Sequence, residues 1–176
     1  MAVETLSGEF ASAVGPLHGL FGNTKTWFGR YNWSTTVVED GDIRKALKLP
    51  GHILVVGGEL WAGDLDSGSE TLDIDVGWAS NGGGAATYSM SLPNGATYTF
   101  TNAAENASAT GFINSGVLTG DGVTDLFASG INYRPVPLIT GPLYFSHETQ
   151  VQFEVNAPSA TPADAQMWLF LRYIGL

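Results

Sequence analysis

Residues 63–78 read GDLDSGSETLDIDVGW and hold five of the chain's seventeen acidic residues. The second half alternates strictly. Leu72, Ile74, Val76 and Trp78 share one parity, and Asp73, Asp75 and Gly77 the other. A period of two is that of a strand with one buried face, which leaves the two aspartates on a wet face. The first half is a turn, because short Asp and Ser side chains satisfy nearby backbone N–H groups and Gly relaxes the backbone. The stretch thus reads as a turn feeding a half-buried strand.

The same pattern recurs on both sides. Trp27–Val38 is aromatic and β-branched, and Glu39–Asp42 (EDGD) is a turn. Ile43–Leu49 fits a strand or a helical turn. His52–Ala62 (HILVVGGELWA) is an apolar strand whose Gly57-Gly58 pair signals a bulge or a close backbone approach. Thr87–Phe100 reads as a hairpin about Pro93-Asn94-Gly95. Residues 102–120 are the best candidate for a helix, with Asn102 as its cap. Residues 125–145 mix turn and strand signals, and their three prolines confine the segment to edges and loops. Thr149–Val155 alternates, and Gln166–Leu176 is apolar on both faces, so it is central in a sheet or covered by another subunit. Seven or eight short strands with turns predict an all-β chain, an antiparallel β-sandwich of jelly-roll type, with a closed barrel as the other reading. The sandwich spans 27–176. Residues 1–26, glycine-broken but carrying Phe10, Leu17, Leu20 and Phe21, read as an extended N-terminal arm.

Composition narrows the function. The 176 residues suit one domain with an arm, and there is no cysteine. Seven basic against seventeen acidic residues give −10, which argues against nucleic acid and against an anionic membrane surface. The first twenty residues lack the basic start and apolar run of a secretion signal, so synthesis in the cytoplasm is expected. Charged residues make up 14%, well under the usual share of about 25%.

No catalytic constellation emerges, and the chain is not expected to be an enzyme. Asp64, Asp66 and Glu70 could offer oxygens to calcium, but a loop counted from Asp64 puts Gly68 at position 5 and Ser69 at position 6, where a calcium loop wants an oxygen ligand and Gly. Calcium is therefore a minor option, and no other cofactor is expected. Asp73 and Asp75 are better read as solvated acids than as a hydrolytic pair. His18, His52 and His147 lie in unrelated contexts, with no nucleophile elbow and no zinc spacing. Trp27, Tyr31 and Trp33, on one parity, could stack on sugars, but such residues more often form a core or anchor an interface.

KLPGHILVVGGELWAGDLDSGSETLDIDVGWAS (48–80), and the closing ADAQMWLFLRYIGL (163–176), resemble segments of small structural proteins of tailed bacteriophages. The resemblance covers about a third of the chain. It implies a head decoration, or cement, protein that sits as a homotrimer on the outside of a capsid and bridges subunits of the major capsid protein. On that reading Phe10, Leu17, Leu20, Phe21, Trp27, Phe28, Tyr31 and Trp33 are the expected capsid contacts. Trp168 and Phe170 are the expected oligomer contacts. A carbohydrate- or receptor-binding module of a phage tail is the alternative.

Overall fold

The computed structural model describes residues 3–5, 24–33, 39–63, 65, 71–91, 94–113, 132–135, 142–158, 161 and 165–176, with 3–5, 31–33, 47, 132–135 and 165 described by backbone alone. Among these the chain is all-β. The strands are β1 (Val3–Thr5), β2 (Thr24–Trp33), β3 (Ile43–Leu49), β4 (Ile53–Ala62), β5 (Asp73–Trp78), β6 (Thr87–Ser91), β7 (Thr97–Thr101), β8 (Ser108–Ile113), β9 (Asn132–Pro135), β10 (Leu143–Phe145), β11 (Thr149–Ala157) and β12 (Ala165–Gly175).

They form two sheets and a hairpin. Sheet I has the order β1-β3-β11-β5-β8, and sheet II the order β10-β4-β12-β2, with β9 also on β4. β9 and β10 lie in series along one edge of β4, at Glu59–Ala62 and Ile53–Val55. The chain passes between the sheets at nearly every step. No strand is shared between the two sheets, so the barrel reading gives way to the sandwich. Val3–Thr5 adds to β3 in parallel, and β2 begins at Thr24, within the segment read as arm. Residues 6–23 lie outside the described residues.

The core follows the alternation. Ile74, Val76 and Trp78 of β5, Val151, Phe153 and Val155 of β11, and Met167, Leu169 and Leu171 of β12 are all buried. Trp78 packs edge-on against Phe112 at 4.9 Å and Phe145 at 5.3 Å, so one indole joins the two sheets. The Trp78 indole N–H donates to the Asn106 carbonyl at 3.2 Å, which removes the cost of burying it.

Two expectations are corrected. Over its described part, residues 102–113, the expected helix does not form. Asn102 does cap, accepting from the Ala104 N–H, but it caps only a single 3₁₀ turn, Ala103–Glu105, and β8 follows. The Gly and Ser content of the segment weakens a helix, and pairing with β5 replaces it. Nor is Asp75 wet: it is 5% exposed. β8 registers with β5 only at Val76↔Ile113 and Trp78↔Ser108. The backbone at Ser108 and Ala109 then lies over the outer side of Gly77, two residues from Asp75. This outer side is a second interior.

His52 enters β4 at φ 54°, a left-handed value for a residue with a side chain. A branched Cβ is worst there. His52→Val is expected to lower stability by about 1–2 kcal/mol, and His52→Gly to change it by less than about 0.5 kcal/mol. Urea unfolding midpoints of the two variants check this.

Candidate docking face

β12 is flanked by β2 and β4 over nearly its whole length, so its two faces have different neighbours. The inward parity builds the core. The outward parity pairs Trp168 with Arg30 and Trp61, Phe170 with Phe28 and Glu59, and Arg172 with Thr26 and Gly57. Cross-strand partners in register present their side chains on the same side of a sheet. The result is an aromatic cluster in the middle of sheet II's outer face.

Phe28 and Phe170 stack at 4.8 Å with their planes tilted by 32°. Phe28, Trp61, Trp168 and Phe170 are each half-buried. With Glu59 they line an open groove of about 410 Å³. The Glu59 carboxylate accepts from the Arg172 guanidinium at 3.0 Å and from the Trp61 indole N–H at 3.4 Å. Gly57 lies beside the Arg172 side chain: a Cβ there would come within 3.3 Å of the Arg172 Nη2 atom. The Glu59–Arg172 pair is partly exposed, so its contribution to stability is small. Its effect is to fix the polar border of an apolar surface.

β4 carries an extra residue opposite β12 between Arg172 and Tyr173. This is the bulge that Gly57-Gly58 signalled. It reverses the parity of β4, so Leu54 falls in register with Ile174 and Tyr144, and all three are buried. Tyr88 of the β6–β7 hairpin lies against Tyr144 at 5.9 Å. Among the described residues, the outer face of sheet II is thus covered at one end and open in the aromatic middle.

The structure redistributes the residues singled out in the sequence. Phe28, Trp168 and Phe170 meet on one face, although the sequence assigned them to two different contacts. Trp27 is fully buried, its indole donating to the Lys48 carbonyl at 3.2 Å, so it builds the core. Tyr31 and Trp33 register with Met167 and Ala165; their side chains lie outside the described residues, as do Phe10, Leu17, Leu20, Phe21, Asp64, Asp66 and Glu70. Glu59, Trp61 and Arg172 were missed. Their signal was the parity of GGELWA and LFLRYI, where a polar residue sits two positions from an aromatic. Among the described residues, no group of three or more His, Asp or Glu side chains could hold a metal ion.

A second groove, of about 350 Å³, runs beside the hairpin, between Tyr98–Ala103 and Pro142–Leu143. Asn102 anchors it. The Asn102 amide oxygen accepts from the backbone N–H groups of Ser146 (3.2 Å) and Ala104 (3.3 Å), and its NH₂ donates to the Gly84 carbonyl (3.0 Å). It also exchanges hydrogen bonds with the Asn81 amide.

No protein-family model and no curated protein matches the chain. Solved structures that share its fold include two from phage capsids. A chain of the cyanophage Pam1 capsid asymmetric unit is 22% identical, with 94% of each chain covered and a TM-score of 0.57. A chain of the capsid of Ralstonia phage GP4 is 17% identical, with 99% of each chain covered and a TM-score of 0.57. At these identities the likeness is one of fold.

Proposed function

We propose that this chain is a non-enzymatic structural protein of a tailed-phage virion that binds the outside of the capsid as an oligomer and stabilises the shell by bridging subunits of the major capsid protein. The observation that carries the reading is end-to-end likeness. Two chains found in phage capsids share the fold over nearly their whole length and nearly the whole of this one. The sequence resemblance at 48–80 and 163–176 points the same way.

The physics of such a role is multivalent. A subunit that touches several shell proteins converts modest contacts into a high combined affinity, and those contacts are lost if the shell parts. The half-buried aromatic residues on the outer face of sheet II are of the kind that dominate interface energy once a partner covers them. The net charge of −10 disfavours direct contact with packaged DNA. A homotrimer is the expected assembly.

Particles lacking this chain should release DNA at a temperature several degrees lower than complete particles, and purified chain added back should restore the difference. Equal DNA release from both kinds of particle would sink the reading. The aromatic groove also suits a sugar-stacking platform. Glycan binding that is lost on Trp61→Ala would favour the tail-module alternative.

A further inference from the structure

The β6–β7 hairpin is a separate two-stranded sheet in which, among the described residues, each strand pairs only with the other. Thr87, Ser89 and Ser91 lie opposite Thr101, Thr99 and Thr97, and all of them are exposed. The Ser89 and Thr99 hydroxyls hydrogen-bond at 2.9 Å. Tyr88 and Met90 lie opposite Phe100 and Tyr98, and Tyr88 rests on Tyr144. The hairpin thus turns its aromatic side toward sheet II and a ladder of hydroxyls toward solvent.

One hydrogen bond fixes which backbone groups of β6 point away from β7. The Asn102 N–H donates to the Ala86 carbonyl at 2.7 Å, one step beyond the Thr87–Thr101 pair. Residues along an antiparallel ladder alternate between hydrogen-bonded and non-hydrogen-bonded pairs. Tyr88 and Met90 therefore aim their N–H and C=O groups at β7, and Thr87, Ser89 and Ser91 aim theirs outward. Edge strands are usually blunted by a charge, a proline or a bulge. β6 has none of these. Its surroundings in sequence are equally bare: residues 76–104 hold none of the chain's seven basic and seventeen acidic residues.

We infer that the outer edge of β6 pairs antiparallel with the same edge of a second copy of this chain, about a twofold axis at Ser89. In that register Thr87 meets the second copy's Ser91, Tyr88 meets its Met90, and Ser89 meets its own counterpart. Hydroxyl opposes hydroxyl, and aromatic ring opposes thioether, both favourable pairs. Every outward N–H of Thr87, Ser89 and Ser91 then faces an outward carbonyl. Two properties pick this occupant. The edge is complementary to itself in residue type and in backbone parity. Two chains of −10 also repel on approach, and here they meet with no charges opposed. A contact that maps onto itself closes a pair and not a ring. It is therefore separate from the homotrimer proposed above, and it joins one such oligomer to the next. A five-residue edge covers far less than the roughly 800 Å² per partner of a standard interface. The contact is weak alone and strengthens when many copies are held side by side.

Cross-linking tests it. The chain has no cysteine, so each single-cysteine variant reports one contact. Across the axis the two Ser89 Cα atoms lie about 5.5 Å apart, within reach of a disulfide. The two Thr99 positions share that row but sit one strand further out, about 14 Å apart and beyond reach. Ser89→Cys, oxidised at about 1 mM chain, should form linked pairs about tenfold faster than Thr99→Cys. Thr87→Pro, added to Ser89→Cys, removes an outward N–H and no bond to β7, at the first residue of a strand, where proline is tolerated. It should slow the cross-link severalfold. If it lowers the thermal midpoint, Thr87→Glu/Ser91→Glu replaces it, because like charges then face each other across the axis. Absent or equal cross-linking of Ser89→Cys and Thr99→Cys, or a Ser89→Cys rate unmoved by the folded edge variant, would each overturn the inference. The capsid reading does not rest on this contact, and the particle assay decides that reading separately.

Discussion

A Gly77→Ala chain is expected to unfold about 3 kcal/mol more easily than the parent, near the upper end of what overpacking costs. A Cβ at this position would overlap the carbonyl oxygens of Ser108 and Ala109. Both belong to backbone that also pairs with β5, so neither can swing aside as a side chain would. Relief requires moving β8, and β8 carries Phe112, which packs on Trp78. The strain therefore reaches the core. For a chain of this length, each kcal/mol moves the thermal midpoint by about 2–4 °C, so a fall of roughly 6–12 °C is expected. Gly175→Ala is the control. A Cβ there meets nothing within 4 Å, and its midpoint should match the parent's. A Gly77→Ala midpoint equal to that of the control would mean that β8 does not cross β5 as described.

Replacing Asn102 by leucine should cost about 3–5 kcal/mol. Asn102 is 4% exposed, and its amide serves both as acceptor and as donor. Leucine would strand the N–H groups of Ser146 and Ala104 and the carbonyl of Gly84. Each buried polar group left without a partner costs about 1–3 kcal/mol, and part of that is recovered where water enters. Asn102→Asp keeps the acceptor and loses the donor, so it should fall between leucine and the parent. The expected readout is a lower urea midpoint, with hydrogen exchange accelerated first at Ser146 and Ala104. Loss of global stability with unchanged protection at those two amides would argue against the network.

The strands were legible in the sequence wherever one face is buried and the other is wet, or where turn residues bound an apolar run. β4, β11, β12 and the β6–β7 hairpin fall in that class. β5 was legible as a strand, but its environment was not. LDIDVGW reads as an acid-bearing wet face, because nothing in it announces that β8 will lie over Gly77. The glycine itself was the clue, as a position where backbone comes close. The docking face was legible only in part. Phe28, Trp168 and Phe170 stood out as large apolar groups, but their meeting depends on the register between β2 and β12, which the sequence does not specify. Trp27 shows the converse. Its neighbours made it look like part of an aromatic patch, while the parity of β2 turns it inward.

The central position of β12 has a consequence for how the chain folds. β2 and β4 touch in sheet II only through β12, so Thr24–Trp33 must wait for Ala165–Gly175 before it has a partner there. Sheet I repeats the arrangement, with β3 and β5 both held by β11. Nearly all the pairing is therefore non-local, and topologies of this kind fold in milliseconds to seconds rather than microseconds. Through that interval the edges of β2 and β4 stay open and prone to pair with other chains. Chaperone demand and expression temperature should accordingly track substitutions in β12 more closely than substitutions in the hairpin.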